Sequence, residues 1–78
     1  MEKSEILKKV GKRIKEIKKK KGISQADLAG RMEGNIDATN ISRIEAGRTN
    51  PTVYTLFRIA EALEVNPKEL LDFDISQN

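Results

Sequence analysis

The side chains of this sequence that could do chemistry are nearly all ammonium, guanidinium or carboxylate groups, and they are unevenly placed. Residues 1–58 hold 14 of the 15 Lys/Arg and 7 of the 12 Asp/Glu, a net +7, whereas residues 59–78 hold one basic and five acidic side chains, a net −4. A basic body ending in an acidic segment suits a polyanion met by one face; nucleic acid and an anionic membrane surface both fit that pattern. Other chemistry is excluded. Without His there is no imidazole base or usual metal ligand, and without Cys there is no thiolate metal site, disulfide or thiol nucleophile. No paired carboxylates fall in a recognisable catalytic motif, so neither a catalytic residue nor a metal or cofactor is expected.

The elements that must position these groups read as helices throughout. Leu7, Val10, Ile14 and Ile17, with Ile6 beside them, form one apolar stripe on a first helix from about Glu5 to Lys21. Ser4 is placed to cap its start and Gly22 to end it. Gly11 within it weakens the helix unless another backbone packs close there. Ser24-Gln25-Ala26-Asp27 is a capping box opening a short second helix with Leu28, Ala29 and Met32 on one face, and Ile23 is placed to staple on Leu28. Glu33-Gly34-Asn35 ends it, with Gly34 or Asn35 suited to positive φ. Asp37 caps a third helix, Ala38 to about Ala46, with Ile41 and Ile44 inward and Gly47 beyond its end. Thr52 caps a fourth, Val53 to Leu63, and Asn66-Pro67 opens a short fifth with Val65 stapled on Leu70.

Seventy-eight residues make one small domain, 1–78, with a core over about 5–72 and a tail at 73–78. So thin a core favours support from a partner subunit. No stretch approaches the roughly 20 apolar residues of a membrane span, and Met1-Glu2-Lys3-Ser4-Glu5 is no signal peptide, so a cytoplasmic location is expected.

Two short helices joined by a glycine-containing turn, with a small Ala on the first, allow the close crossing of a helix-turn-helix. The segments Ser24-Gln25-Ala26-Asp27-Leu28-Ala29, Ile41-Ser42-Arg43-Ile44-Glu45-Ala46-Gly47-Arg48 and Asn50-Pro51-Thr52, followed by Leu56, Ile59, Ala60 and Leu63, resemble the lambda-repressor/Cro-like helix-turn-helix (XRE) family. The likeness runs over about residues 10–72. It implies an all-α, five-helix lambda-repressor-like DNA-binding domain with the helix-turn-helix at helices 2 and 3. The sequence departs from the family in the turn, where eight residues (33–40) separate Met32 from Ile41 instead of the usual six. Ile36 still supplies an apolar plug before Asp37, so the departure reads as a two-residue insertion on an unchanged core.

The resemblance further implies that helix 3 enters the major groove while helix 2 crosses the phosphates. On that docking Ala38, Thr39, Asn40 and Arg43 face base edges: Ala38 a thymine methyl, Asn40 an adenine, Arg43 a guanine or flanking phosphate. Gln25 at the start of helix 2 is the phosphate anchor, joined by Arg48 with Thr49 and Asn50, and by Lys18 between Glu45 and the backbone. Lys18 stands where relatives often carry Arg, and lacks the flat two-pronged pairing of Arg. The expected activity is that of a sequence-specific regulator holding an inverted-repeat operator in double-stranded DNA as a homodimer, with Leu71, Phe73 and Ile75 as interface candidates. An adaptor or antitoxin whose main partner is another protein is the alternative. A membrane binder fits poorly, since the apolar stripe of helix 1 is needed by the core and no Trp anchor exists. The blander readings are a solvated Arg43 paired with Glu33 or Asp37, and a solvated lysine face at 18–21.

Overall fold

The chain begins its first helix two residues earlier than the Ser4 signal suggests. Glu2 is extended (φ −68°, ψ 150°), and the Glu5 carboxylate accepts its backbone N–H at 3.3 Å, so Ser4 lies inside the helix and caps nothing. In this computed structural model, which describes residues 1–32 and 37–74, α1 (Lys3–Lys20) is followed by α2 (Gln25–Arg31), α3 (Ala38–Glu45) and α4 (Val53–Leu63). The readings at Glu33, Gly34, Asn35, Ile36 and Ile75 lie outside the described residues.

The caps of the other helices are those expected. The side chains of Ser24, Asp37 and Thr52 accept the backbone N–H of Asp27, Asn40 and Thr55, each three residues on. In α2 the box is complete, because Asp27 also accepts the Ser24 N–H at 3.1 Å. The Ser24 backbone N–H, and then its hydroxyl, hold the Asp27 carboxyl below its ordinary range. A carboxyl so depressed stabilises α2 at neutral pH, and that contribution is lost only as pH falls through the lowered folded value.

Three helices end in the same way. Gly22 (φ +70°), Gly47 (φ +74°) and Glu64 (φ +59°) take the left-handed conformation. The following residue then donates back five positions: Ile23 to Lys18 O at 2.9 Å, Arg48 to Arg43 O at 2.9 Å and Val65 to Ala60 O at 3.0 Å. Gly22 and Gly47 were legible stops, whereas Glu64 carries a side chain where glycine is usual.

The fifth element is not an α-helix. Pro67–Leu71 is a 3₁₀ helix, closed by i→i+3 bonds such as Glu69 N–H to Asn66 O at 2.9 Å. Pro67 offers no N–H, and five residues are too few to build successive α-type bonds. The five-helix expectation is therefore corrected, among the described residues, to four α-helices and a 3₁₀ helix. That piece is held nonetheless: Leu70 is fully buried, and Arg13 of α1 donates to Glu69 O at 2.8 Å while pairing with its carboxylate at 3.2 Å.

All elements meet in one core built from Val10, Ile14 and Ile17 of α1, Leu28 of α2, Ile41 and Ile44 of α3, Ile59, Ala60 and Leu63 of α4, and Leu70. Leu7 is half-buried at its edge and Ile6 is exposed. α1 crosses α3 closely at Gly11, where an added Cβ would lie 2.5 Å from Glu45 O and still nearer Ile44 O. The glycine that weakens α1 as a helix is thus what lets the two backbones touch. Two arginines brace α4 against α2: Arg58 donates to Met32 O at 2.8 Å, and Arg31 donates to Ala62 O at 3.3 Å.

Candidate nucleic-acid interface

On α3 the side chains divide by helical position. Ile41, Ile44 and Glu45 turn inward and are buried, while Thr39, Asn40 and Arg43 are exposed within an arc of about 100°. Asn40 spends its backbone N–H on the Asp37 cap at 2.9 Å, which leaves its amide side chain facing out. Ala38 sits seven positions before Glu45 on the same side, is half-buried, and forms the rim of the outward face. Ser42 is exposed beside Thr39 and Arg43. It belongs to the same polar surface, although the sequence reading passed over it; its place three residues after Thr39 was the available signal. The exposed part of α3 is thus short, polar and carries one guanidinium, the composition that hydrogen-bonds base edges.

Behind this surface lies a buried polar chain linking three helices. Lys18 Nζ of α1 lies 2.8 Å from Glu45 Oε2 of α3, with side chains only 10% and 4% exposed. Glu45 Oε1 accepts Gln25 Nε2 of α2 at 2.9 Å. Because a carboxylate only accepts, this fixes which end of the Gln25 amide faces inward and directs its second N–H elsewhere. The structure therefore brings Gln25 and Lys18 together through Glu45. Lys18, expected between Glu45 and the phosphates, meets Glu45 and is itself buried. The Gln25–Glu45 bond was missed, since 20 residues separate the two and no local pattern announces it.

The loop after α3 forms the other flank. Arg48 is exposed immediately beyond Gly47, while its backbone N–H closes the end of α3 on Arg43 O. The backbone amides of Thr49 and Asn50 donate to no group among the described residues, so this loop presents two N–H donors and a guanidinium side by side. Arg43 enters no ion pair among the described residues; in particular it does not pair with Asp37.

At the far end, Leu71 is 54% exposed and Phe73 is half-buried against the core. Val53, Tyr54 and Phe57 also leave an apolar strip in solvent on the first half of α4, which the sequence reading did not single out. Among the described residues no cluster of carboxylates could hold a metal ion, and no helix is long and apolar enough to cross a membrane.

Comparison with known proteins places this geometry. A helix-turn-helix family model matches residues 14–70. The chain is 39% identical over 64 residues to the control protein C.BamHI of Bacillus amyloliquefaciens, covering 81% of this chain and 76% of that protein. It is 36% identical over 62 residues to the uncharacterized HTH-type transcriptional regulator y4dJ of Sinorhizobium fredii, covering 80% and 78%. Among solved structures it is similar to the restriction-modification controller protein C.AhdI from Aeromonas hydrophila, with TM-score 0.83 and 30% identity over 90% of this chain and 99% of the other. It is also similar to the restriction-modification controller protein C.Esp1396I, solved as a tetramer with its natural 35 base-pair operator, with TM-score 0.72 and 39% identity over 86% and 96%. The matched segment contains α2, α3 and the loop that frame the polar face, and the chain belongs to the lambda-repressor/Cro-like helix-turn-helix (XRE) family of DNA-binding transcriptional regulators.

Proposed function

We propose that the chain is a sequence-specific operator-binding regulator of the restriction-modification controller kind, acting in the cytoplasm as a homodimer on an inverted repeat and catalysing no reaction. The observation that carries this reading is the outward polar face of α3, flanked on one side by Gln25 oriented through Glu45 and on the other by Arg48 with the amides of Thr49 and Asn50. The similarity to C.BamHI, C.AhdI and C.Esp1396I supports the controller assignment. In this reading residues 1–78 act as a single DNA-binding unit. Thr39, Asn40 and Arg43, with Ala38 at the rim, read bases. Gln25, Arg48, Thr49 and Asn50 hold phosphates, and Lys18 serves that contact by holding Glu45.

Selection from random duplexes is expected to enrich one inverted repeat; absence of any enrichment would favour the protein-adaptor reading. On the selected site Asn40→Ala or Arg43→Ala should each cost about 1–3 kcal/mol, with a much smaller loss on unrelated DNA. Arg48→Ala should weaken binding on all sequences alike and flatten the salt slope by about 1. Equal losses on both kinds of DNA from Asn40→Ala would instead make it a backbone contact.

The dimer is assigned to the C-terminal end, where Leu71, Phe73 and Ile75 supply apolar groups and the surplus acid lies away from DNA. Phe73 divides its surface between core and interface, so Leu71→Glu is the cleaner variant. Sedimentation at micromolar concentration should show a wild-type dimer and a folded Leu71→Glu monomer. A wild type that stays monomeric at that concentration would confine dimerisation to the operator.

A further inference from the structure

We propose that the exposed lysine stripe of α1, formed by Lys8, Lys12, Lys15 and Lys19, is a second DNA-backbone surface that holds phosphates of the duplex flanking each half-site. The inference rests on the DNA-binding reading above and extends it to residues that no recognition helix supplies.

The four lysines are all exposed and stand at i, i+4, i+7 and i+11. At 100° and 1.5 Å per residue they occupy an arc of about 60° and run about 16 Å along the helix. None makes an ion pair among the described residues, whereas Lys18, Arg13 and Arg58 all do. The exposed carboxylates of α1 lie to one side of the stripe and are already engaged, Glu5 with the Glu2 N–H and Glu16 with Arg13 at 3.7 Å. A helix face that is merely solvated gains by alternating the signs of its charges at this spacing, and like charges at i, i+4 weaken the helix. Here Lys8 faces Lys12 and Lys15 faces Lys19, and although Glu5 and Glu16 stand three or four positions from Lys8, Lys12 and Lys19, neither pairs with them among the described residues. Such a face is costly to the free chain and suited to a polyanion.

Its position ties it to the interface at both ends. Lys8 packs on Gly47, where an added Cβ would lie 2.9 Å from the Lys8 Cα, so the stripe starts against the loop that presents Arg48. Lys19 follows Lys18, whose ammonium holds Glu45 and through it Gln25. The stripe thus continues the proposed line of phosphate contacts away from α3 and carries no base-reading group. Phosphate contacts of this kind add affinity and salt dependence without sequence preference.

The test compares wild type with a Lys8→Gln/Lys12→Gln/Lys15→Gln/Lys19→Gln variant on two duplexes, one trimmed to the selected operator and one with long flanks. If two or three of the lysines meet phosphates, the wild-type log–log salt slope should be steeper by about 2–3 on the flanked duplex, a relative gain of about 10–60-fold between 50 and 200 mM salt. The variant should lose that difference while keeping its preference for operator over scrambled sequence. Identical slopes and flank dependence in the two proteins would overturn the proposal and leave the operator reading standing. A wild type that binds no duplex at low salt would overturn both. Loss of binding to phosphatidylserine vesicles in the variant, with both duplexes bound as by wild type, would overturn it in favour of a membrane surface.

Discussion

Replacing Glu45 with alanine should cost about 3–5 kcal/mol of folding stability, the usual penalty for removing one member of a buried ion pair. That is a large part of the total for a chain of this size, about 4–12 kcal/mol. The penalty falls on what is left behind: Lys18, with its side chain 10% exposed, keeps a charge with no counter-ion, and Gln25 loses the acceptor that orients it. Lys18→Met should be comparably damaging from the other side, because Glu45 is then the stranded charge. The Lys18→Met/Glu45→Met double variant separates the pair from its penalty, since two apolar groups strand nothing and should recover most of the stability. Gln25 remains unoriented in that double variant, so its operator affinity should stay low although the fold is restored. Chemical denaturation and operator titration of the four proteins check both halves. A Glu45→Ala chain as stable as wild type would show that the pair is open to water.

Gly11→Ala should destabilise the chain by about 2 kcal/mol through overpacking, although alanine is the better helix former by about 1 kcal/mol. The added methyl meets backbone carbonyls of Ile44 and Glu45, which cannot swing aside as a flexible side chain would. Relief requires α1 and α3 to part, shifting both the Lys18–Glu45 contact and the outward polar face of α3. For a domain of this length the melting temperature should fall by roughly 8–16 °C. Gly30→Ala is the matched control: Gly30 lies in α2 with nothing within 4 Å of an added Cβ, so the same change there should be neutral or stabilising. A Gly11→Ala chain melting above wild type would mean that the two helices separate without cost.

Much of the fold was legible because its signals are local. Ser24, Asp37 and Thr52 announce helix starts within three residues, and Gly22 and Gly47 announce stops by the one conformation they tolerate better than other residues. Gly11 was legible as a conditional, and the close crossing supplies the condition. What escaped the sequence depends on distant partners or close competition. Ser4 is a good cap in isolation, yet the Glu2–Glu5 contact moved the start to Lys3. Arg13 carried no sequence signal, because its partner Glu69 lies 56 positions away. The resemblance already set Lys18 beside Glu45, but the depth at which α3 covers it, leaving its side chain 10% exposed, was not legible in a charged run. For the proposed interface, Thr39, Asn40, Arg43, Arg48 and the Thr49–Asn50 loop were named from the resemblance, and the structure leaves them exposed or partly exposed, whereas the Gln25–Glu45 bond needed three dimensions.

The bracing of α2 by α4 bears on how this regulator can diversify. Arg58 holds the Met32 carbonyl at the last turn of α2, and the Asp37 carboxylate fixes the first turn of α3, so the connection between them leaves and arrives at anchored posts. Between these ends, stretching the connection from two residues to the four at 33–36 costs only about 0.6 kcal/mol of closure entropy. Length added here leaves Leu28, Met32, Ile41 and Ile44 in the hydrophobic interior. The turn can thereby vary in length as well as in sequence, with the rest of the domain serving as a constant chassis.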